Sequence, residues 1–189
     1  MTSAAGAAGF PAVGLLDIAL VGRSNVGKST LINALARRKL ARTSAAPGKT
    51  RLANFYRLAA EGRPAFHLVD LPGYGYARGG EGSRQAFDAL ARDYFEARVE
   101  TSLAGVLLLV DSRHPGLEAD IGASAWLGNL GVAYHVVATK VDKLTRAERQ
   151  RHLSELERLY SSAVTPISAE TGEGMDVLWK LIARLLTPR

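Results

Sequence analysis

The strongest constraint on this chain is one short loop, Gly22-Arg23-Ser24-Asn25-Val26-Gly27-Lys28-Ser29. It fits the phosphate-binding pattern G-x-x-x-x-G-K-[ST]. An apolar run, Leu15–Val21, precedes it, and a helical spacing at Leu31, Ile32 and Leu35 follows. A buried strand, a glycine-hinged turn and a helix in that order imply an α/β fold, with the loop at the carboxyl end of a strand. Gly22 and Gly27 let the backbone bend and approach an anion closely. Successive N–H groups then form a nest, to which the helix starting near Lys28 adds its positive end. Lys28 is suited to the β- and γ-phosphates and the Ser29 hydroxyl to Mg2+, so the loop predicts a nucleoside triphosphate site.

The rest of the chain repeats the strand–helix alternation. Strand-like runs are Leu15–Val21, Asn54–Ala59, Ala65–Asp70, Ala104–Asp111, Ala133–Ala138 and Val164–Ile167. Several are almost wholly apolar, as in strands buried on both faces. Helical spacing recurs at Phe87, Leu90, Ala91 and Tyr94, at Leu153, Leu156, Leu159 and Tyr160, and at Val177, Leu178, Leu181, Ile182 and Leu185. Thr145 with Glu148 reads as a capping box. The expected fold is α/β, a mostly parallel six-stranded sheet with helices on both faces. Residues 1–10 read as a flexible tail and 11–187 as one domain. Two segments break the pattern: basic Arg37–Arg51, and Leu71–Ser83 with Pro72 and five glycines. Both are expected to be loops that respond to ligand.

The 189 residues contain no cysteine, which excludes disulfides, thiolate metal sites and cysteine nucleophiles. The net charge of +6 favours polyanionic partners such as nucleic acid. The longest uncharged apolar run, Leu103–Val110, is too short to span a bilayer, so no membrane role is expected and the cytoplasm is the expected location.

Further chemistry gathers at the strand ends. Asp70 closes an apolar strand, where a carboxylate can hold Mg2+ through water, and the Gly73 N–H can approach a γ-phosphate. Thr50, after Pro47-Gly48-Lys49, is a second hydroxyl for Mg2+. In Thr139-Lys140-Val141-Asp142 the carboxylate can accept both N1–H and N2–H2 of guanine. Adenine has neither donor at that edge and would leave the charge unpaired. The Lys140 stem can lie along the base, and a backbone N–H at Ser168-Ala169 can meet guanine O6.

Together these segments resemble the EngB family of small bacterial GTP-binding proteins, among the translation-factor-related GTPases. The resemblance covers nearly the whole chain and rests on GRSNVGKS (22–29), PGKTR (47–51), DLPGYGYA (70–77), DSRHPG (111–116), TKVDKL (139–144) and SAETGEG (168–174). It implies a Ras-like P-loop GTPase domain that binds GTP and GDP and hydrolyses GTP slowly. The implied nucleotide contacts are Gly22 to Thr30, that is Gly22, Arg23, Ser24, Asn25, Val26, Gly27, Lys28, Ser29 and Thr30. They continue with Gly48, Lys49, Thr50 and Arg51, then Asp70, Leu71, Pro72 and Gly73, then Thr139, Lys140, Val141 and Asp142, and finally Ile167, Ser168 and Ala169. Mg2+ falls to Ser29, Thr50 and Asp70, and catalysis to Lys28 and Thr50.

Two positions depart from the commoner GTPase pattern. Thr139 stands where many small GTPases have Asn, so selectivity is expected to rest on Asp142, with moderate affinity. Tyr74 stands where Ras-like enzymes orient water with Gln. Transition-state charge is then expected to be met by K+ held at Asn25, as in related GTPases, or by a partner that orders the switches. The resemblance also implies a monomer acting in assembly of the large ribosomal subunit, through rRNA or ribosomal protein, with a link to cell division and septation. The basic cluster Arg37, Arg38, Lys39 and Arg42 is a candidate phosphate-backbone contact. A switch acting on a protein effector and an ATP-dependent kinase or ATPase are the alternatives. His67 reads as a packing residue and His114 as a turn residue.

Overall fold

The computed structural model describes residues 1–41, 52–59, 64–74 and 80–187, with 80–88 as helix backbone only. Its strands are Thr2–Ala4 (β1), Leu16–Gly22 (β2), Ala53–Leu58 (β3), Phe66–Asp70 (β4), Leu103–Asp111 (β5), Tyr134–Thr139 (β6) and Val164–Pro166 (β7). Its helices are Lys28–Ala36 (α1), Gly80–Arg98 (α2), Glu118–Asn129 (α3), Arg146–Tyr160 (α4) and Met175–Leu185 (α5). The strands make one sheet in the order β1-β3-β4-β2-β5-β6-β7. β4, β2, β5, β6 and β7 run parallel, and β3 and β1 extend the edge antiparallel.

Side chains alternate across a strand, so each buried strand serves two layers. Ile18 and Leu20 of β2, with Leu107 and Leu109 of β5, pack with Leu31, Ile32 and Leu35 of α1 and Leu178, Leu181 and Ile182 of α5. Ala19, Val21, Val106, Leu108 and Val110 face the opposite layer, with Leu90, Tyr94 and Phe95 of α2, Leu127 of α3 and Leu156 of α4. The sequence therefore reads as apolar at nearly every position of the central strands, buried Asp17 and the terminal Asp111 apart, and the parallel set brings its carboxyl ends to one rim. Gly22, Asp70, Asp111 and Thr139 end their strands there.

Local signals place the helices. Gly27, at φ 113°, turns the chain into α1 in a conformation suited to glycine. Asn33 closes the other end: its Oδ1 accepts from the Leu40 and Ala41 N–H groups, both at 2.8 Å. The Thr145–Glu148 capping box opens α4, with Glu148 N–H donating to Thr145 Oγ1 and Thr145 N–H to Glu148 Oε2. His114 N–H closes a turn onto the Asp111 carbonyl at 3.0 Å.

Three differences from the sequence expectation stand out. The sheet has a seventh strand, because β1 pairs Thr2 to Ala4 with Phe55 to Ala53. That strand lies inside the segment read as a tail. It is held by tertiary contacts: Ala4 is buried, and the Phe10 ring lies 5.5 Å from Phe55 and 5.9 Å from Tyr94. The glycine-rich segment read as loop to Ser83 is helical from Gly80, continuous with the part of α2 that buries Leu90, Tyr94 and Phe95. His67 packs as expected but is also bonded, its Nδ1 lying 3.1 Å from Asp17 Oδ1.

Candidate functional site

The phosphate loop spans from Gly22, the last residue of β2, to Lys28, the first of α1. Asn25 has φ 63° and is exposed. The Lys28 ammonium turns back into the loop and donates to the Gly22 carbonyl at 3.0 Å and towards Arg23 O at 3.5 Å. Burial lowers its pKa, and the Asp70 carboxylate opposes that shift. A buried cation held by the loop's own carbonyls is suited to an anion as dense as a polyphosphate.

The loop is tied to the end of β6 by two side chains. Thr139 Oγ1 donates to the Val26 carbonyl at 2.7 Å and lies 3.1 Å from Val110 O. Lys140 Nζ donates to the Asn25 carbonyl at 2.7 Å and to Asp111 Oδ2 at 2.9 Å. The expectation that Thr139 weakens base recognition by its short reach therefore has a different geometry behind it. Its hydroxyl faces the phosphate loop, where one hydrogen for one carbonyl is enough.

Asp70 is 3% exposed, and its Oδ1 has no hydrogen-bond partner among the described residues. Burial raises its pKa, with Lys28 opposing. An orphaned carboxylate oxygen and the Ser29 hydroxyl at the start of α1 are hard oxygen donors, the chemistry Mg2+ selects. Leu71 is buried in the core and its N–H donates to Leu20 O at 3.4 Å, so its side chain supports the site from behind. Gly73 is packed on the loop: a Cβ there would lie 2.8 Å from Ser24 N and 3.0 Å from Lys28 Nζ. Gly48, Lys49, Thr50 and Arg51, with Arg42, lie outside the described residues.

A cavity of about 300 Å³ opens beside the loop, with Gly27, Thr30, Thr139, Lys140, Asp142, Ile167 and Ala169 among its walls. Asp142 Oδ2 lies 2.9 Å from Lys143 Nζ, while Oδ1 is buried and unpartnered among the described residues. Lys143 foremost holds the Asp142 pKa below the ordinary carboxylate value. Val141 and Ser168 act from beneath. Val141 N–H donates to Ile167 O at 3.3 Å, and Ser168 N–H donates to Glu173 O at 2.9 Å. The Ser168 hydroxyl accepts from Thr171 N–H at 3.1 Å.

Arg113 also lines this cavity. Its guanidinium forks onto Asp111, Nε to Oδ1 at 2.9 Å and Nη2 to Oδ2 at 2.7 Å. Burial pushes the Asp111 pKa up, but Arg113 and Lys140 outweigh it and hold the carboxyl far below its ordinary value. Arg23, read as a nucleotide contact, turns its side chain to Asp120 of α3, Nε to Oδ1 at 3.0 Å. Tyr74 also donates to Asp120 Oδ1, at 3.0 Å. No motif marks Asp120. The DSRHPG segment was the available signal for Asp111 and Arg113.

The structure thus gathers Gly22 to Thr30, Asp70 to Gly73, Thr139 to Asp142 and Ile167 to Ala169 on one rim. A phosphate loop, a buried carboxylate at the end of β4 and a base-sized cavity at the ends of β6 and β7 define a P-loop GTPase domain. The family model described as 50S ribosome-binding GTPase matches residues 17–155. The probable GTP-binding protein EngB of Pelotomaculum thermopropionicum is 44% identical over 189 residues, covering 97% of this chain and 92% of that protein. The EngB protein of Anaeromyxobacter sp. is 45% identical over 178 residues, covering 89% and 82%. The chain belongs to the EngB family of GTP-binding proteins and carries its GTPase domain. A solved structure of a probable EngB has the same fold, with a TM-score of 0.70 at 23% identity over 90% of this chain and 98% of that one. Aquifex aeolicus Era bound to GDP·AlF4− matches in fold with a TM-score of 0.78 at 24% identity over 92% of this chain, which spans 57% of the Era chain. Among the described residues no helix is long and apolar enough to cross a membrane.

Proposed function

We propose that this GTPase acts in assembly of the large ribosomal subunit, binding its target in the GTP form, with the link to cell division and septation following from that role. The observation that carries the nucleotide reading is Asp142 Oδ1, a buried acceptor without a partner among the described residues, on the wall of a cavity adjoining the phosphate loop. A guanine edge would supply the donor that Oδ1 lacks and a second one that shares Oδ2 with Lys143. The nest from Arg23 to Lys28 takes the phosphates, and Lys28 adds its charge without needing a proton transfer. The Gly73 N–H is the contact we read for a terminal phosphate. Ser29 and Asp70, with Thr50, would hold Mg2+, which supplies charge neutralisation on the phosphates when bound.

Tyr74 has no carboxamide with which to orient water, so slow intrinsic hydrolysis is expected. K+ at Asn25 is one source of further charge. Equal rates in K+ and Na+ at matched ionic strength would remove it. The ribosomal target is supported by the family's description and by exposed Arg37, Arg38 and Lys39 at the end of α1, in a chain of net charge +6. Co-sedimentation with large subunits, comparing a non-hydrolysable GTP analogue, GDP and no nucleotide, tests it. Analogue-dependent binding that weakens steeply with salt is expected. No binding in any state, with nucleotide affinity intact, would overturn the ribosomal role.

A further inference from the structure

A buried carboxylate outside the nucleotide cavity joins three parts of the fold. Asp120, in the first turn of α3, is 1% exposed. Its Oδ1 accepts from Arg23 Nε of the phosphate loop and from the Tyr74 hydroxyl of the segment after β4, each at 3.0 Å. Burial pushes the Asp120 pKa up, and Arg23 and Tyr74 oppose that, so both partners favour the carboxylate. The backbones meet as well. Arg23 and Tyr74 form a parallel bridge, and Ser24 N–H donates to the Tyr74 carbonyl at 3.3 Å. The same segment brings Gly73 so near that a Cβ there would meet Ser24 N at 2.8 Å. Ser24 N–H lies within the phosphate loop, among the successive N–H groups of a G-x-x-x-x-G-K-[ST] turn. With the Asp120 contact made, that donor is directed at Tyr74 instead.

We propose that Asp120 is a positioning residue that holds Tyr74 and Gly73 over Ser24 and thereby biases this site towards nucleoside diphosphate over triphosphate. The proposal rests on the guanine-nucleotide reading above. A terminal phosphate competes with the Tyr74 carbonyl for the Ser24 N–H, and Gly73 can meet it through its own N–H only by drawing back from Lys28. A diphosphate lacks the group that makes this demand. The ligand free energy gained by the third phosphate is then partly consumed in releasing the Tyr74 carbonyl from Ser24.

Tyr74→Phe removes only the hydroxyl and keeps the ring, Asp120→Asn keeps the shape and removes the charge, and the double variant completes a cycle. Calorimetry with Mg2+ gives Kd for GDP and for a non-hydrolysable GTP analogue. Each single variant should raise the analogue affinity relative to GDP by about ten-fold or more, a shift set by loss of one charge-assisted hydrogen bond. The double variant should add little to either single one. An unchanged analogue-to-GDP ratio in folded Tyr74→Phe overturns the proposal. So does a parallel loss of affinity for both nucleotides, which marks Asp120 as structural support alone. If Asp120→Asn does not fold, Tyr74→Phe decides. A wild-type protein that binds neither nucleotide overturns the guanine reading itself, a separate outcome.

Discussion

Replacing Asp142 by Asn tests the base cavity at one atom. Asp142 Oδ1 is buried without a partner among the described residues, and Oδ2 lies 2.9 Å from an ammonium that is 57% exposed and free to swing away. Lys143 keeps the carboxyl below its ordinary pKa, so it is ionised throughout the neutral range. Guanine offers N1–H and N2–H2 along one edge, and an ionised carboxylate accepts both. A hydrogen bond to a charged partner contributes about 1.5–3 kcal/mol, so two give roughly 3–6 kcal/mol, or about 10²- to 10⁴-fold in Kd. Asn keeps one acceptor and turns an amide N–H towards a guanine donor. Xanthine carries a carbonyl at that position, which accepts the amide N–H. Asp142→Asn should therefore weaken GDP by about 100-fold or more and bind XDP more tightly than the wild type does. Displacement of a fluorescent diphosphate by GDP, XDP and pyrophosphate reads all three. Pyrophosphate affinity should stay at the wild-type value, since Asp142 touches only the base. GDP affinity within about three-fold of wild type, in a folded variant, would refute the assignment of guanine recognition to this carboxylate.

Thr139→Val keeps the shape of the side chain but leaves the Val26 carbonyl unpaired. GDP and pyrophosphate affinity should fall together by about ten-fold, one buried hydrogen bond's worth, in the same displacement assay. The depressed pKa of Asp111 means that the folded state holds this group ionised to lower pH than the unfolded chain does. Its stabilisation is complete above the unfolded pKa, roughly above pH 5, and is lost as pH falls through the folded value, so the melting-temperature gap between wild type and Asp111→Asn should narrow on acidification. Gly174 opens α5 at φ 72°, and a Cβ there would lie 2.2 Å from the Pro166 carbonyl. Gly174→Ala should cost about 3 kcal/mol or more and lower Tm by roughly 6–12 °C, read by thermal unfolding.

The parts of the site legible in the sequence are those written in consecutive residues. Gly22 to Ser29 carries its own turn, its own donors and the start of its own helix, so no distant contact is needed to interpret it. Thr139 to Asp142 is legible in the same way, because both its residue types and its strand end are local. What the sequence hides is made by distance. Asp120 is an unremarked acid in a helical stretch until Arg23, 97 residues earlier, and Tyr74, 46 residues earlier, fold onto it. The N-terminal strand is hidden for a related reason. Thr2–Ala4 has no alternation or β-branched run of its own beyond Thr2, and it becomes a strand through the edge that β3 offers. At Gly80 and Gly82, local propensity argues for loop, yet both lie in the first turn of α2, a helix whose later turns bury Tyr94 and Phe95.

At the end of β6, Thr139 serves the phosphate loop with its one hydroxyl hydrogen. Thr139 and Lys140 each direct a polar atom to the phosphate loop, at the adjacent carbonyls of Val26 and Asn25, and neither has a second donor group aimed at the base edge. Asp142 is the acidic group on the same cavity wall, where Asp111 fixes Arg113 and Lys140. A base that fills the cavity therefore presses on residues that already brace the loop holding its own phosphates. Thr139 and Lys140 thus link the cavity wall to the phosphate loop through two hydrogen bonds of 2.7 Å each. The opposite side of the nest is braced differently, through Asp120 to Tyr74 and Arg23, on a segment that must move if a third phosphate is to enter. One side of the loop is thus held by contacts compatible with any guanine nucleotide, and the other by contacts that compete with the feature distinguishing GTP from GDP.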